Sequence, residues 1–329
     1  MTADQPNKGI TMHDAIATIK SWIEDTIRGS LIFSTFSGGK DSVATWLHLE
    51  RELGLRVKCV FADTGWESEW DAANTYRYID TLEREHGLPL IRVEPKVRHI
   101  WKRKPPKRFQ AVANERLTMA RLIEIKKRPP SATARFCTSI LKLAPIAELV
   151  ANTPEPYIMA SGVRAQESKK REAMSPWAWD ELMGAWRWLP IQQWTVEDVF
   201  AIHKKYGVPV NPLYLKGCSR VGCWPCIFAQ KSEIAVLSKD FAGVARLKQV
   251  EADSGQTFFA EGKVAREYRS KIDPKTGVEI NTADDVLRWA VGAEPNYKDG
   301  TLYVGENGDL EFAEDDVGDS CSSVYGLCE

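Results

Sequence analysis

The chain has 329 residues, 43% of them hydrophobic, and a formal net charge of −1. That length allows one large α/β domain or a domain with a smaller appendage, and the apolar fraction is enough for a full core. A charge this near zero excludes any argument from overall charge for a nucleic-acid or membrane partner, and no apolar run approaches the roughly 18 residues of a membrane span. The N-terminus Met1–Gly9 is polar and has no signal-peptide core, so a soluble, cytoplasmic protein is expected. Seven cysteines in such a chain point to metal or redox chemistry rather than to a disulfide framework.

Residues 11–28 place Ala15, Ile19, Trp22, Ile23 and Ile27 on one stripe, the pattern of an amphipathic helix. The apolar run Leu31-Ile32-Phe33 follows and leads directly into Ser37-Gly38-Gly39-Lys40-Asp41-Ser42. A buried strand is expected to end there, with two glycines turning the backbone and a helix starting at about Asp41, its apolar side supplied by Val43, Ala44, Leu47 and Leu49. Such a turn suits anions. Glycine lets backbone N–H groups approach oxygen atoms, the helix start adds partial positive charge, Ser37 and Ser42 add hydroxyls and Lys40 a cation. The Walker spacing GxxxxGK[ST] is absent, and the loop instead resembles the pyrophosphate loop of the ATP-pyrophosphatase and adenine-nucleotide hydrolase superfamily.

A second buried strand is expected over 56–62, ending in Asp63-Thr64-Gly65-Trp66-Glu67. Open parallel sheets bind ligands beyond the carboxyl ends of their strands, which sets Asp63 and Thr64 on the rim of the pyrophosphate loop. Asp63 reads as a contact to ribose, adenine or magnesium, or else as a helix N-cap. Cys59, inside the strand, reads as a small buried apolar residue. A helix over 69–86 and a strand over 88–93 complete a βαβαβ order, so the expected fold class is α/β with a doubly wound, mostly parallel sheet. The stretch 95–135 then reads as an excursion from the sheet. It carries Trp101-Lys102-Arg103-Lys104-Pro105-Pro106-Lys107-Arg108 and Lys126-Lys127-Arg128, a basic surface suited to a polynucleotide backbone, to a small nucleotide's phosphates, or simply to solvent.

Next come Arg135-Phe136-Cys137 with Lys142 and Pro145, a strand over 157–160, and Gly162-Val163-Arg164-Ala165-Gln166-Glu167-Ser168. Gly162 and Arg164 follow a buried strand, and the guanidinium suits a bidentate grip on phosphate or sulfate, with Glu167 expected to orient it by a salt bridge. Thr195 is a good N-cap with Asp198 completing a capping box, and the helix is expected to end at Gly207. The segment Asn211-Pro212-Leu213-Tyr214 leads into Cys218 and Gly222-Cys223-Trp224-Pro225-Cys226.

In this order, these motifs resemble the phosphoadenosine phosphosulfate (PAPS) reductases and their relatives over roughly residues 30–230, including iron–sulfur adenylylsulfate reductases and the ATP-dependent sulfurtransferase of DNA phosphorothioation. The resemblance implies an adenine nucleotide-binding enzyme of the adenine nucleotide alpha hydrolase-like fold. Cluster-bearing relatives take their first pair of ligands from tandem cysteines, whereas this chain has Cys137 followed by Thr138, and Cys218 restores the count. The expected metal ligands are therefore Cys137, Cys218, Cys223 and Cys226 around one [4Fe–4S] cluster, with zinc or plain buried thiols as the other readings.

Helices are expected over 238–250, 257–272 and 283–290, and from Gly300 an acidic tail that contains Cys321 and Cys328. The domain plan is a nucleotide-binding unit over 1–215, a cysteine and helical extension over 216–299, and the tail over 300–329. Two reactions fit the resemblance. In one, the loop residues hold ATP, with Lys40 and magnesium stabilising pyrophosphate as the α-phosphate activates an acceptor for sulfur delivered by a donor protein; the acceptor class stays open among DNA, tRNA and a small metabolite. In the other, the loop and Arg164 bind a sulfonucleotide, a tail thiolate such as Cys328 attacks its sulfur, and a thioredoxin-like partner resolves the product. The tail ends Leu327-Cys328-Glu329 without the reductases' histidine, so the nucleophile is not matched motif for motif. A non-catalytic nucleotide-binding subunit is the third reading.

Overall fold

The computed structural model describes residues 24–260, 263–272 and 277–291, together with the backbone of 302–304 and 310–312. Strand β1 (Leu31–Phe36) is buried at every position and pairs in parallel with a strand on each side. A strand covered on both faces needs apolar side chains throughout, which is why its sequence reads as a run rather than an alternation. Helix α1 (Lys40–Leu47) follows, then β2 (Val57–Ala62), α2 (Thr75–His86) and β3 (Leu90–Val93). The excursion holds one longer helix, α3 (Met119–Lys126). The chain then returns through α4 (Ala144–Ala151) to β4 (Tyr157–Ala160), the hairpin β5 (Trp177–Asp180) and β6 (Ala185–Trp188), and α5 (Val196–Tyr206). Helices α6 (Lys231–Leu237), α7 (Phe241–Ser254) and α8 (Ala283–Ala290) make up the extension.

The six-stranded sheet has the order β3-β2-β1-β4-β6-β5, parallel except for the edge strand β5. This is the expected α/β class with a mostly parallel, doubly wound sheet. From β1 the chain moves outward to β3 and then crosses back to β4 on the other side. The connections leaving β1 and β4 therefore part from each other, and such a switch point opens a crevice at the strands' carboxyl ends.

Three apolar cores result. One joins β1 and β2 to α1, α2 and α5 through residues such as Ile32, Trp46, Ile79 and Val199. A smaller one sets Ile146 and Val150 of α4 against Phe33, Val60 and Met159. The third unites Trp66, Leu122, Ile140, Tyr214, Trp224, Leu247 and Val286, so the excursion and the extension share one interior.

Several expected elements shift. Of the helix expected over 11–28, residues 24–29 are helical and the remainder lies outside the described residues. The helix expected from 69 starts at Thr75, because the Asn74 side chain accepts the Arg77 N–H and caps it there. Among the described residues of 257–272, expected to be helical, the chain makes a short turn over Arg266–Tyr268 and a two-residue strand, Lys271–Ile272. Thr195 and Asp198 make the expected capping box, and Gly207 ends α5 with φ of 64°. The β5–β6 hairpin was not anticipated; it pairs Trp177 with Trp188 and stacks the Trp177 and Trp186 rings with centroids 5.7 Å apart.

Candidate nucleotide and thiol site

The turn after β1 depends on Gly38, whose φ is 77°. An added Cβ would find ordinary contact with Ile79 at 3.4 Å, so glycine serves here for its backbone conformation, which L side chains avoid. The two serines brace the turn from within. Ser37 Oγ accepts the Gly39 N–H at 3.2 Å, and Ser42 donates to the Gly39 carbonyl at 2.9 Å. Gly39 offers no side chain to cap α1. The start of that helix therefore keeps the electropositive character that suits an anion.

The loop is held from outside by a segment far along the chain. The Lys40 N–H donates to the Tyr214 hydroxyl at 3.0 Å, and Asn211 Nδ2 donates to the Gly38 carbonyl at 3.3 Å. His203 on α5, 3% exposed, sets Nε2 2.9 Å from the Lys40 carbonyl and Nδ1 3.2 Å from that of Val208. Burial lowers its pKa against the pull of these carbonyls, which favours a neutral ring that donates to one of them.

Lys40, Asp41 and Arg164 form a buried ionic set. Arg164 Nε donates to Asp41 Oδ1 at 2.6 Å, and Lys40 Nζ lies 3.1 Å from Asp41 Oδ2. Burial alone would raise the Asp41 carboxyl. The charges of Lys40 and Arg164 and their hydrogen bonds outweigh it and hold the group well below the usual carboxylate range. Within the set two charges are positive and one negative. Arg164 reaches Asp41 because Gly162 lets β4 approach α1 closely: a Cβ there would stand 2.7 Å from both the Asp41 carbonyl and Thr45 Oγ1. Gly162 thus acts through packing. The expected Glu167–Arg164 salt bridge is corrected. Glu167 accepts the Arg164 backbone N–H at 2.7 Å and pairs with the Arg171 guanidinium, while Asp41 takes the side chain of Arg164.

On the neighbouring rim, Asp63 is no helix N-cap. Its Oδ1 accepts from the Gly65 N–H and lies 2.8 Å from the Tyr76 hydroxyl, and its Oδ2 accepts from Arg116 at 2.6 Å. Both oxygens are thereby engaged within the chain. Thr64, fully buried, donates to Glu67 Oε1 at 2.7 Å. Tyr76 sits 2.8 Å from Glu67 Oε2 as well, and burial beside two carboxylates pushes its hydroxyl far up in pKa, so it stays a proton donor.

The cysteines divide. Cys137, Cys223 and Cys226 lie close enough to act on one another electrostatically, with the buried Lys142 among them. Burial pushes the Cys223 thiol up to about 12 against the opposing pull of Lys142. Burial works against the Lys142 ammonium too, yet Cys223, Glu67, Cys137 and Cys226 together raise its pKa. Cys218 differs in what acts on it: burial and the Glu233 carboxylate raise its thiol. Cys59 is buried in β2 as expected, while Cys321 and Cys328 lie outside the described residues. Among the described residues no group of three or more His, Cys, Asp or Glu converges in metal-binding geometry. Among the described residues the thiols that act on one another are Cys137, Cys223 and Cys226, three of the four ligands expected for a cluster or for structural zinc.

Two of the sequence motifs are joined to each other, with Arg246 bridging them. The Trp224 N–H donates to the Trp66 carbonyl at 2.7 Å, and Trp66 Nε1 donates to the Pro225 carbonyl at 3.0 Å. Arg246 lies 4.5 Å over the Trp66 ring and donates to the carbonyls of Glu67 and Trp224. A small pocket beside the loop is lined by Ser37, Glu67, Lys142 and Gly222, with Phe36, Phe61 and Ala62. Tyr214 was visible in the sequence as part of the NPLY run; Glu67, His203 and Arg246 carried no comparable signal.

Residues 31–229 match the phosphoadenosine phosphosulfate reductase domain. An uncharacterised 37.8 kDa protein of Escherichia phage 186 is 36% identical, over 89% of this chain and 95% of its own length. The adenosine 5'-phosphosulfate reductase of Allochromatium vinosum is 26% identical over 60% of this chain and 68% of that enzyme. A crystal structure of PAPS reductase from Candida auris aligns with 66% of this chain and 97% of its own, at 15% identity and a TM-score of 0.42. The chain belongs to the phosphoadenosine phosphosulfate reductase domain family.

Proposed function

We propose that this chain binds an adenine nucleotide at the carboxyl ends of β1 and β4 and activates an acceptor at the nucleotide's α-phosphate for sulfur delivery. The observation that carries this reading is the buried Lys40–Asp41–Arg164 set, which brings two cations together at the start of α1. Two cations beside a helix start suit phosphate oxygens. In this reading the α1 amides and Lys40 hold the terminal phosphates while Arg164 faces the reacting group. An acceptor oxygen attacks the α-phosphorus, the bond to the β-phosphate oxygen breaks, and pyrophosphate leaves with the electron pair, its developing charge met by Lys40. Lys142, which lines a pocket with Ser37 of the loop, also feels Cys137, Cys223 and Cys226, so in this reading it sits between the nucleotide and the thiols.

A second reading rests on the named reductase among the relatives. There a tail thiolate, Cys328 or Cys321, attacks the sulfur of a sulfonucleotide, the sulfur–oxygen bond to phosphate breaks, and a dithiol partner releases sulfite. Two assays on one preparation separate the readings: exchange of labelled pyrophosphate into ATP with magnesium and candidate acceptors, and sulfite release from a sulfonucleotide with a dithiol. Exchange that survives Cys321→Ser combined with Cys328→Ser supports the first. Sulfite release abolished by that pair of changes replaces it with the second. Nucleotide affinity with neither activity leaves a binding subunit.

A further inference from the structure

Charge is distributed very unevenly along this chain. Between residues 96 and 135 there are thirteen Lys and Arg against two carboxylates, Glu115 and Glu124, although the whole chain carries only −1. A few of these cations are used internally: Arg98 pairs with Glu148, Arg116 with Asp63, and Arg121 with Glu124. Others are not. Lys102, Arg103, Lys104, Lys107 and Lys127 are exposed, and no carboxylate among the described residues pairs with them. A surface serving only solubility interleaves both signs; one that keeps a single sign over this length concentrates anions.

Aromatic rings are set among the cations. Trp101 and Phe109 pack with centroids 5.0 Å apart, and Arg108 lies 4.9 Å over Phe109. Phe136 carries Arg128 at 5.4 Å and Lys126 at 5.9 Å, and Phe228 carries Arg135 at 5.1 Å. All four rings are only partly buried. Phe136 immediately precedes Cys137, and Phe228 follows Cys226 by two residues, so the second group stands at the thiols themselves. The Val97–Ile100 turn, from which the first group emerges, packs on the Thr138–Leu143 turn that carries Lys142.

We propose that this face binds single-stranded nucleic acid and presents it toward Cys137, Cys223 and Cys226, so that a polynucleotide is the acceptor class. Unpaired cations supply contacts to successive phosphates, and partly exposed rings with guanidinium groups supply platforms for unstacked bases. An acidic protein would use the cations but not the rings. Binding at this face stands independently of the chemistry; only its identification as the acceptor rests on the reaction proposed above.

The test uses the full chain and fluorescently labelled single-stranded 20-nucleotide DNA and RNA, with affinity read by anisotropy across a salt series. Binding is expected with a strong salt dependence. The change Lys102→Ala, Arg103→Ala, Lys104→Ala, at exposed positions outside the nucleotide site, should weaken binding at least tenfold at low salt. It should also reduce the slope of log affinity against log salt by about 2, at ~0.7 per phosphate contact. Phe228→Leu should weaken binding roughly fivefold or more while leaving the slope unchanged, the signature of a lost stacking platform. No binding, binding that ignores both variants, or equal retention of a polyglutamate chain would overturn the proposal, the last in favour of an acidic protein partner. Pyrophosphate exchange is measured alongside. Exchange stimulated by the strand in wild type and lost in the triple variant supports the acceptor assignment. Exchange without any response to a bound strand removes that assignment and leaves the binding face. Absence of exchange under every condition counts against the nucleotide chemistry while the binding result stands alone.

Discussion

The charges of the Lys40–Asp41–Arg164 set rank two variants in an order that intuition about conservative changes would not give. At an effective dielectric near 20, the contacts of Asp41 at 2.6 Å and 3.1 Å are worth about 6 and about 5 kcal/mol before desolvation. Arg164→Met removes one cation and leaves Lys40 and Asp41 as a neutral pair. Asp41→Asn keeps the shape but leaves two buried cations with no carboxylate between them, a change expected to cost about 3–5 kcal/mol. Asp41→Asn should therefore be the more damaging to stability, and Arg164→Met the more damaging to anion affinity. Urea unfolding midpoints give the first ranking, and thermal stabilisation by pyrophosphate gives the second. An anion at about 100 times its dissociation constant adds ~2.7 kcal/mol to the folded state. Wild type and Asp41→Asn should show this at accessible concentrations, and Arg164→Met should not. Because the Asp41 pKa is depressed on folding, its stabilisation is fully present above the ordinary carboxylate value and is lost only as pH falls through the lowered one. The gap between wild type and Asp41→Asn should accordingly be flat from pH 5 to 8. A cheaper Asp41→Asn than Arg164→Met, or equal stabilisation of all three proteins by pyrophosphate, refutes the charge argument.

Three further outcomes follow from the same geometry. Gly162→Ala drives a methyl group into the Asp41 carbonyl and Thr45, so it should destabilise by about 1–3 kcal/mol in thermal unfolding and weaken pyrophosphate binding by separating Arg164 from α1. His203 has a pKa lowered by burial, so stability present above about pH 6.5 should decline as pH falls below that value; a thermal midpoint that is level between pH 7 and 5.5 would contradict this. Arg246→Leu removes the donor shared by the Glu67 and Trp224 carbonyls, and a loss of about 1–3 kcal/mol should accompany faster proteolysis around 223–226.

Much of the scaffold was legible because it depends on local rules. The β1, β2 and β4 runs are apolar because those strands are buried, the glycine turn declares itself by composition, and Thr195 with Asp198 spells out a helix start. What escaped depends on long-range partners. Trp177 and Trp179 find their partner only when they are placed against Trp186 across a hairpin. Glu167 stands three residues from Arg164 and looked like its partner, but the close approach that Gly162 permits gives the guanidinium to Asp41, 123 residues earlier. Spacing counts thiols without saying where they go. Cys218 is five residues from Cys223, yet it turns into the interior beside Glu233, whose carboxylate is held by Ser219 at 3.0 Å.

The clamp on the phosphate loop has a consequence for the order in which this molecule takes shape. Tyr214, Asn211 and His203 reach Lys40 and Gly38 across 174, 173 and 163 residues. During synthesis the first strand, turn and helix emerge long before any of these three, and the turn waits without its outer supports while the sheet assembles. The loop gains its final form only when the segment around Asn211 arrives and closes that long span. On the proposed nucleotide reading, a nascent chain stopped short of it should hold much of its sheet but grip phosphate poorly, and nucleotide affinity would be a late reporter of folding.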